Sequence, residues 1–245
     1  MYALDEPVIN VQSLLHTFAK KYQGFILTDC HISVHDRQVI ANATVKGQPQ
    51  QWQLTAQKII VTAGAGNAEY TQQQQLRPLR MLVAEVPRAF GRLYAHVLEA
   101  SDKPRLTIST YSHPSNSERL IWYIGGNIAE KGVTCEHDTF IKRARQELSA
   151  VFTWLDWSTV TLDSLLVKRA EGSSAGKRPS TPIIIEQGNQ LIAWPTKLAL
   201  APLLADSLCQ KISVSHPVAK TVAKSDITPV NFPPPRIADF VWTKN

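Results

Sequence analysis

The chain has 245 residues, of which 44% are hydrophobic and 19% charged, which excludes intrinsically disordered and low-complexity proteins and allows one large domain or two small ones. Three widely spaced cysteines (Cys30, Cys135 and Cys209) do not predict a disulfide framework, and no apolar run approaches the ~20 residues of a membrane span, so we expect a cytoplasmic protein that does not enter a membrane. The net charge of +6 allows an anionic partner, but the basic residues are dispersed without a nucleic-acid-binding motif, so nucleic acid is not the expected partner.

The first 75 residues predict one helix followed by short strands. Asn10 is a predicted N-cap, apolar residues at helical spacing follow it, and Gly24 ends the helix. Alternating and β-branched runs then predict strands at residues 25–34, 39–45 and 52–54.

A different kind of strand is predicted at residues 58–62. This run is short, continuous and rich in β-branched residues, which is typical of a buried parallel strand. It leads into residues 63–66, with the sequence Ala-Gly-Ala-Gly. Glycines allow close approach of a ligand to the backbone, and ligands bind at this end of strands in open α/β sheets, although a tight turn without a ligand has the same sequence.

The middle of the chain predicts a separate α+β unit. Longer alternating runs indicate an antiparallel sheet, an amphipathic helix follows over residues 136–152, and a further strand is expected at residues 160–167. The four predicted sheet strands cover residues 79–86, 93–98, 105–111 and 119–124.

The last part of the chain predicts a hairpin, a helix and a tail. Residues 183–185 and 191–194 form short apolar strands around a Gly188-Asn189 turn, and the final helix begins near Ala201. The Pro-rich remainder is expected to be an extended arm outside the core.

Hydrolase and metal chemistry find no support in the motifs. The chain has no H-E-x-x-H pair or P-loop, and its close Cys/His pairs lack further ligands at metal-site spacing. The remaining candidates are Arg169 after a predicted strand, Tyr123 before two glycines, and residues 194–197 before the last helix. Each candidate also has a purely structural interpretation: Arg169 as a surface arginine, Tyr123 as a core tyrosine and Lys197 as a surface lysine.

The order of these segments resembles the FAD-dependent D-amino-acid-oxidase-like family, which includes glycine and sarcosine oxidases. The resemblance extends over nearly the whole chain, which corresponds to the C-terminal two-thirds of the family pattern. The segments that carry it are residues 6–15, 24–32, 59–66, 77–80, 123–126, Arg169 and residues 183–204.

The resemblance implies a mixed α/β and α+β fold, consisting of the remainder of a Rossmann-like FAD-binding domain and an antiparallel-sheet substrate domain. The implied boundaries are 1–75 for part of the FAD-binding domain, 76–167 for the substrate domain, 168–213 for the return to the FAD-binding domain and 214–245 for the Pro-rich tail. FAD would contact Ile32, Ala63, Gly64, Ala65, Gly66, Trp194, Pro195, Thr196 and Lys197.

The implied reaction is oxidation of an amine or amino acid by hydride transfer to flavin. Arg169 would hold a substrate carboxylate, while Tyr123 and His96 would line the substrate face. The backbone from Thr196 to Ala201 would stabilise negative charge on the reduced flavin. Gly64, Arg169 and Trp194 are therefore expected to converge on one cleft.

The family's N-terminal βαβ unit with G-x-G-x-x-G has no counterpart in this sequence. We therefore expect a truncated product, a sequence fragment or one half of a split enzyme that needs an N-terminal FAD-binding segment or chain. A non-catalytic remnant or an assembly subunit is the alternative, and a basic nucleic-acid-binding protein is a third interpretation that depends only on the net charge.

Overall fold

The computed structural model describes residues 3, 5–45, 47–100, 103–174, 179–215 and 234–243. It divides the chain into two compact units. Unit 1 comprises Met1–Gln75 and Ala170–Asp239, and unit 2 comprises Leu76–Arg169 and Phe240–Asn245. The chain therefore passes between the units three times.

Unit 1 begins with helix α1, Val11–Lys21. The predicted N-cap is confirmed, because the Asn10 side chain accepts a hydrogen bond from the Ser13 backbone N–H at 3.0 Å. None of the residues of α1 is buried, and Phe18 is 49% exposed. The apolar residues of α1 thus recur at helical spacing in the sequence, but they do not form a buried core.

An antiparallel sheet of three strands follows α1. Its order is β1-β2-β3, with β1 at Cys30–His35, β2 at Gln38–Val45 and β3 at Gln48–Thr55. The strand predicted from residue 25 begins only at residue 30. Residues Gln23–Phe25 form a 3-10 turn, and Asp29 has a φ of 52°, which interrupts an extended backbone.

The second sheet of unit 1 joins distant parts of the chain. Its order is β10-β11-β4, with β4 at Ile59–Val61, β10 at Ile183–Gln187 and β11 at Gln190–Trp194. Strands β4 and β11 are parallel, with Val61 opposite Ile192, as the sequence predicts. The predicted hairpin of β10 and β11 is also confirmed, although Ile60 is 42% exposed and β4 is therefore not fully buried.

The last helix of unit 1 covers the second sheet. Helix α4 spans Ala201–Ser215, and Leu204 and Leu208 pack against Leu191 and Ala193 of β11. The predicted start at Ala201 is confirmed. The tail expected from residue 214 begins inside this helix, and its residues 216–233 lie outside the described residues.

Unit 2 contains a five-stranded sheet with the order β6-β7-β8-β5-β9. The pairs β6–β7, β7–β8 and β8–β5 are antiparallel, as predicted, and this sheet is separate from the one that contains β4. Its strands are β5 at Gln74–Pro87, β6 at Ala95–Val97, β7 at Leu106–Ser112, β8 at Arg119–Gly125 and β9 at Thr161–Gly172.

Two helices follow β8. Helix α2 is short, at Asn127–Lys131, and α3 at His137–Val151 covers one face of the unit 2 sheet. Phe140 and Leu148 of α3 pack with Trp122 of β8 in the largest apolar core. Because β9 runs to Gly172, Arg169 lies within a strand rather than just after one, which corrects the predicted end at residue 167.

The described end of the tail packs against unit 2. The rings of Phe240 and Trp242 contact Tyr111, and Trp242 also contacts Tyr123. The expectation of an arm outside the packed structure is therefore wrong for these residues. In the part of the chain that the structure describes, no helix is long and apolar enough to cross a membrane.

Candidate functional site

The glycine-containing loop after β4 is held to strand β11 by a buried asparagine. Asn67 is fully buried, and its side-chain oxygen accepts the Ala63 N–H at 2.7 Å. Its side-chain nitrogen donates to the Ala193 carbonyl at 3.1 Å. One side chain thus joins the start of the loop to the neighbouring parallel strand.

Trp194 makes a second connection between the loop and β11. Its ring is almost completely buried, and Nε1 lies 3.3 Å from the Gly64 carbonyl and 3.3 Å from Gln74 Oε1. The structure therefore brings the predicted residues Gly64 and Trp194 into direct contact. The indole N–H of Trp194 is engaged in this packing, so the residue supports the loop.

The backbone at Gly64 is open to a ligand. Gly64 has a φ of 60° and no atom within 4 Å of a Cβ built on it, whereas a Cβ on Gly66 would meet the Ala63 side chain at 3.2 Å. Residues Gly64–Glu69 form a 3-10 turn directly after β4. A flat ligand can approach the first glycine without displacing a side chain, which is what a flavin requires of these residues.

The segment before α4 departs from the prediction of free N–H groups. The Lys197 N–H donates to the Pro195 carbonyl at 2.7 Å, and the Leu200 N–H donates to the Lys197 carbonyl at 2.9 Å. Thr196 is nearly buried with a φ of 66°, and its hydroxyl donates to the Thr181 carbonyl at 3.1 Å. These two N–H groups therefore already donate within the protein, and the predicted charge-stabilising role of the backbone from Thr196 to Ala201 stays a prediction.

Ile32 lies in strand β1 of the first sheet and is 37% exposed. The residues of the glycine loop follow β4, which belongs to the second sheet. The adenine contact of Ile32 stays a prediction, because Ile32 and the glycine loop belong to different sheets, which are joined at their turns where the Asn189 side-chain nitrogen donates to the Asp36 carbonyl at 2.8 Å.

The three predicted substrate residues lie in the sheet of unit 2. Tyr123 pairs with Ser109, and His96 pairs with Thr107 on the same strand β7. Because residues two apart share a face of a strand, Tyr123 and His96 point to one side of the sheet, opposite to the side that α3 covers. His96 is on the edge strand β6, where Nδ1 lies 3.2 Å from the Thr107 hydroxyl.

The charge of Arg169 acts on Tyr123. Burial raises the pKa of the Tyr123 hydroxyl, Tyr111 adds to the rise, and Arg169 opposes it. Tyr123 is therefore a neutral hydroxyl at neutral pH, with a guanidinium near enough to affect its ionisation. The convergence of Arg169 with Gly64 and Trp194 stays a prediction, since Arg169 belongs to unit 2 and the other two to unit 1.

Two clefts in unit 2 lie elsewhere. They have volumes of about 750 and 460 Å³, and both are lined by residues of helix α3. Neither is lined by Tyr123, Arg169 or His96. The candidate substrate residues thus lie in the sheet of unit 2 and outside these two clefts.

The buried polar residues Asn67 and Glu171 are not among the candidates that the sequence predicts. Asn67 stands in an otherwise ordinary run after the glycines, and no spacing motif distinguishes it. Glu171 is fully buried near the end of β9, where Oε1 lies 3.5 Å from the Gln75 amide nitrogen. Buried polar groups of this kind are recognisable only once the fold shows which positions are inside.

Comparison with known proteins gives one relative of substantial identity. No family model matches the chain. The probable FAD-dependent oxidoreductase PA4991 of Pseudomonas aeruginosa is 34% identical over 221 residues, which are 86% of this chain and 55% of the relative. This chain therefore spans about half the length of the curated relative that it matches.

The same similarity is found among solved structures. The crystal structure of the FAD-dependent oxidoreductase PA4991 matches 99% of this chain and 66% of that one, with 31% identity and a TM-score of 0.79. CabE, an aromatic hydroxylase from angucycline biosynthesis, matches 83% of this chain and 42% of its own with 12% identity and a TM-score of 0.41. The chain is thus a homologue of a protein named a FAD-dependent oxidoreductase, in agreement with the predicted cofactor.

Proposed function

We propose that this chain belongs to a FAD-dependent oxidoreductase that oxidises an amine or an amino acid, as in the D-amino-acid-oxidase-like family. The observation that carries the proposal is the open glycine loop after β4, which Asn67 and Trp194 hold against the parallel strand β11. The similarity to a FAD-dependent oxidoreductase over 86% of the chain supports the choice of cofactor.

Residues of unit 1 would hold the cofactor. Gly64 offers a backbone that a flat ring can approach, because no side chain stands within 4 Å of its Cβ position. Lys197 is exposed next to the buried Thr196 and adds a positive charge just before the 3-10 turn Leu198–Leu200 that leads into α4. When bound, a flavin supplies a hydride acceptor for the carbon that bears the amine.

Residues of unit 2 would hold the substrate. Arg169 can bind a carboxylate through two parallel N–H bonds, which fix the orientation of the substrate as well as its position. Tyr123 remains protonated at neutral pH because burial raises its pKa, so its hydroxyl can donate a hydrogen bond to the substrate. His96 would line the edge of the same sheet face.

We also propose that the active protein includes an N-terminal FAD-binding segment or chain with G-x-G-x-x-G. Two observations support this partner. Among the described strands β4 pairs only with β11, and α1 has no buried residue although it is amphipathic. The same two observations also support the alternative, in which the chain is a non-catalytic assembly subunit or remnant. They indicate a surface for a partner, and they do not bear on catalysis.

A matched pair of glycines tests the cofactor site. Gly64 and Gly188 both have a φ of 60° and open space around the Cβ position, so alanine should cost about 1–2 kcal/mol of stability at either residue. FAD is titrated into the chain, alone and mixed with a separately made G-x-G-x-x-G segment, and the flavin absorption of the complex is measured. We expect substantial binding only with the added segment, lost in Gly64→Ala and retained in Gly188→Ala. Equal binding by the two variants would contradict the proposed site.

The reaction is tested by anaerobic bleaching of the flavin absorption with a panel of amines and amino acids. Arg169→Met should raise the KM for amino acids about 10–100-fold, because a charge-assisted interaction is lost, while Lys168→Met on the exposed side of the same strand should not. Bleaching by no amine, despite full flavin binding, would contradict the amine substrate. Failure to bind flavin under all conditions would favour the assembly subunit.

A further inference from the structure

The last described residues of the chain lie on the sheet of unit 2 and contact it through aromatic rings. Phe240 and Trp242 stack on each other with a centroid distance of 4.9 Å and an angle of 6°. Each ring lies 4.8 Å from Tyr111, and Trp242 lies 5.2 Å from Tyr123. We call residues 240–243 the C-terminal segment, which two rings thus join to two tyrosines of the sheet.

The two tyrosines belong to the sheet face that carries the candidate substrate residues. Tyr111 and Ser109 are two residues apart on β7, and Ser109 pairs with Tyr123 on β8, so both tyrosine side chains project from one face. The C-terminal segment therefore occupies the space directly against Tyr123, a residue that the proposed function assigns to the substrate.

The C-terminal segment has little structure of its own. Residues Val241–Thr243 form a single 3-10 turn, which is too short to keep its shape without contacts elsewhere. Among the backbone hydrogen bonds of the described residues, none joins Trp242 to β7 or β8. The ring contacts of Trp242 can therefore break without breaking a hydrogen bond of the sheet.

The indole N–H of Trp242 weakens the docking of the segment. Its Nε1 is buried and has no hydrogen-bond partner among the residues that the structure describes. An indole nitrogen can only donate, and a buried donor without an acceptor has lost its hydration without compensation. When the segment leaves the sheet, this N–H regains water, so the undocked state has a favourable interaction that the docked state lacks.

We propose that the C-terminal segment is a reversible cover of Tyr123, which docks through Phe240 and Trp242 and leaves the sheet when a substrate binds. Because Trp242 occupies the space next to Tyr123, the segment and the substrate exclude each other. The apparent dissociation constant of the substrate is then the intrinsic constant divided by the undocked fraction. The inference rests on the proposed function in taking Tyr123 as a residue that lines the substrate site.

Nitration of tyrosine rings by tetranitromethane measures the cover without flavin or substrate. The rates at Tyr123 and at Tyr22, which is 45% exposed in unit 1, are followed by mass spectrometry of peptides. The full chain is compared with a chain that ends at Asp239. Minor states are commonly populated at about 0.1–10%, so removal of the segment should raise the rate at Tyr123 about 10–1000-fold and leave the rate at Tyr22 unchanged.

Two results of this comparison would overturn the proposal. Equal rates at Tyr123 in the two chains would show that the segment covers nothing. Nitration of Tyr123 in the full chain only at urea concentrations that unfold the core of unit 2 would show that the segment is a fixed part of the fold. A reversible cover instead gives a rate at Tyr123 that hardly changes with urea below that transition, because undocking exposes little surface.

A single substitution guards against a folding defect in the shortened chain. Trp242→Ala removes the ring that contacts Tyr123 and keeps the length of the chain. It should raise the nitration rate of Tyr123 at least fivefold, whereas the control Val241→Ala, at a neighbouring residue that is 46% exposed, should not. Equal rates in the two variants would overturn the proposal.

A synthetic peptide of residues 236–245 tests whether docking needs the covalent connection. At about 1 mM, which is of the order of the effective concentration of a tethered segment, it should restore the protection of Tyr123 in the shortened chain. The same peptide with Trp242→Ala should not restore it. Equal protection by the two peptides would contradict docking through the Trp242 ring.

These outcomes are distinct from those of the flavin experiments. A reversible cover without any amine oxidation would leave this inference standing while contradicting the proposed reaction. In the flavin-loaded protein, Trp242→Ala should lower the KM for the amine and leave kcat unchanged, because a competitor of the substrate is removed. An unchanged KM with oxidation intact would overturn the competition between segment and substrate.

Discussion

Replacement of Asn67 by alanine is the most direct perturbation of the loop that carries the functional proposal. The substitution removes the acceptor of the Ala63 N–H and the donor to the Ala193 carbonyl. Each unsatisfied buried group costs about 1–3 kcal/mol, but Ala63 is exposed and can be rehydrated, whereas Ala193 is 1% exposed. We therefore expect the free energy of unfolding to fall by about 2–3 kcal/mol.

Urea unfolding followed by circular dichroism measures this loss, and flavin titration in the presence of the added segment measures its effect on the site. The control is Asn42→Ala in the first sheet, which removes a 2.8 Å hydrogen bond from the exposed Gln51 side chain. Its expected effect on stability is below about 0.5 kcal/mol. If Asn67→Ala is as stable as the control and binds flavin normally, the role assigned to Asn67 in holding the loop is refuted.

Two further predictions concern a carboxylate and a pair of tryptophans. Although burial opposes the shift, the hydrogen bond and charge of Lys103 and the charge of Arg77 hold the pKa of Glu130 below its ordinary value of 4.5. The stabilisation is complete above that pH and is lost as the pH falls through the folded pKa, so Glu130→Gln should lower the urea midpoint at pH 7, and this drop should become smaller as the pH is lowered below 4.5; a drop that does not depend on pH would contradict this. Trp194→Phe and the core control Trp122→Phe each remove an indole N–H that donates to a glycine carbonyl, and in Trp194 this N–H is shared with Gln74 Oε1, so each should lose about 1 kcal/mol of stability. Only Trp194→Phe should weaken flavin binding, and equal flavin affinities would count against the supporting role of Trp194.

Local signals in the sequence predicted the elements whose causes are themselves local. The N-cap at Asn10 needs only its own side chain and a backbone N–H three residues later. The turn at Gly188 needs only a residue that tolerates a positive φ. The continuous β-branched run at β4 predicted a parallel strand, and β4 is parallel to β11, although the exposure of Ile60 shows that the predicted burial is incomplete.

Features that depend on contacts between distant residues were not predictable in the same way. Asn67 acts on Ala193, which is 126 residues away in the sequence. Thr196 has a positive φ, a backbone conformation in which glycine is usual and a β-branched residue is rare, so the conformational propensity of threonine does not predict it. Trp242 lies in a segment whose prolines indicate an extended arm, and its packing on Tyr123 follows from the shape of a sheet that the sequence does not display.

The catalytic and assembly interpretations depend on one physical question, which is what covers the exposed apolar residues of unit 1. A helix of 11 residues is marginal in water without tertiary contacts, yet α1 has no buried residue to stabilise it. Strand β4 leaves one of its edges unpaired among the described strands, directly before the glycine loop. A partner that pairs with β4 would therefore approach the same loop that offers its backbone at Gly64, so the surface that favours assembly also leads to the candidate cofactor site. Assembly and flavin binding are thus expected to be coupled, and a chain that binds its partner while excluding flavin would have to close the space at Gly64.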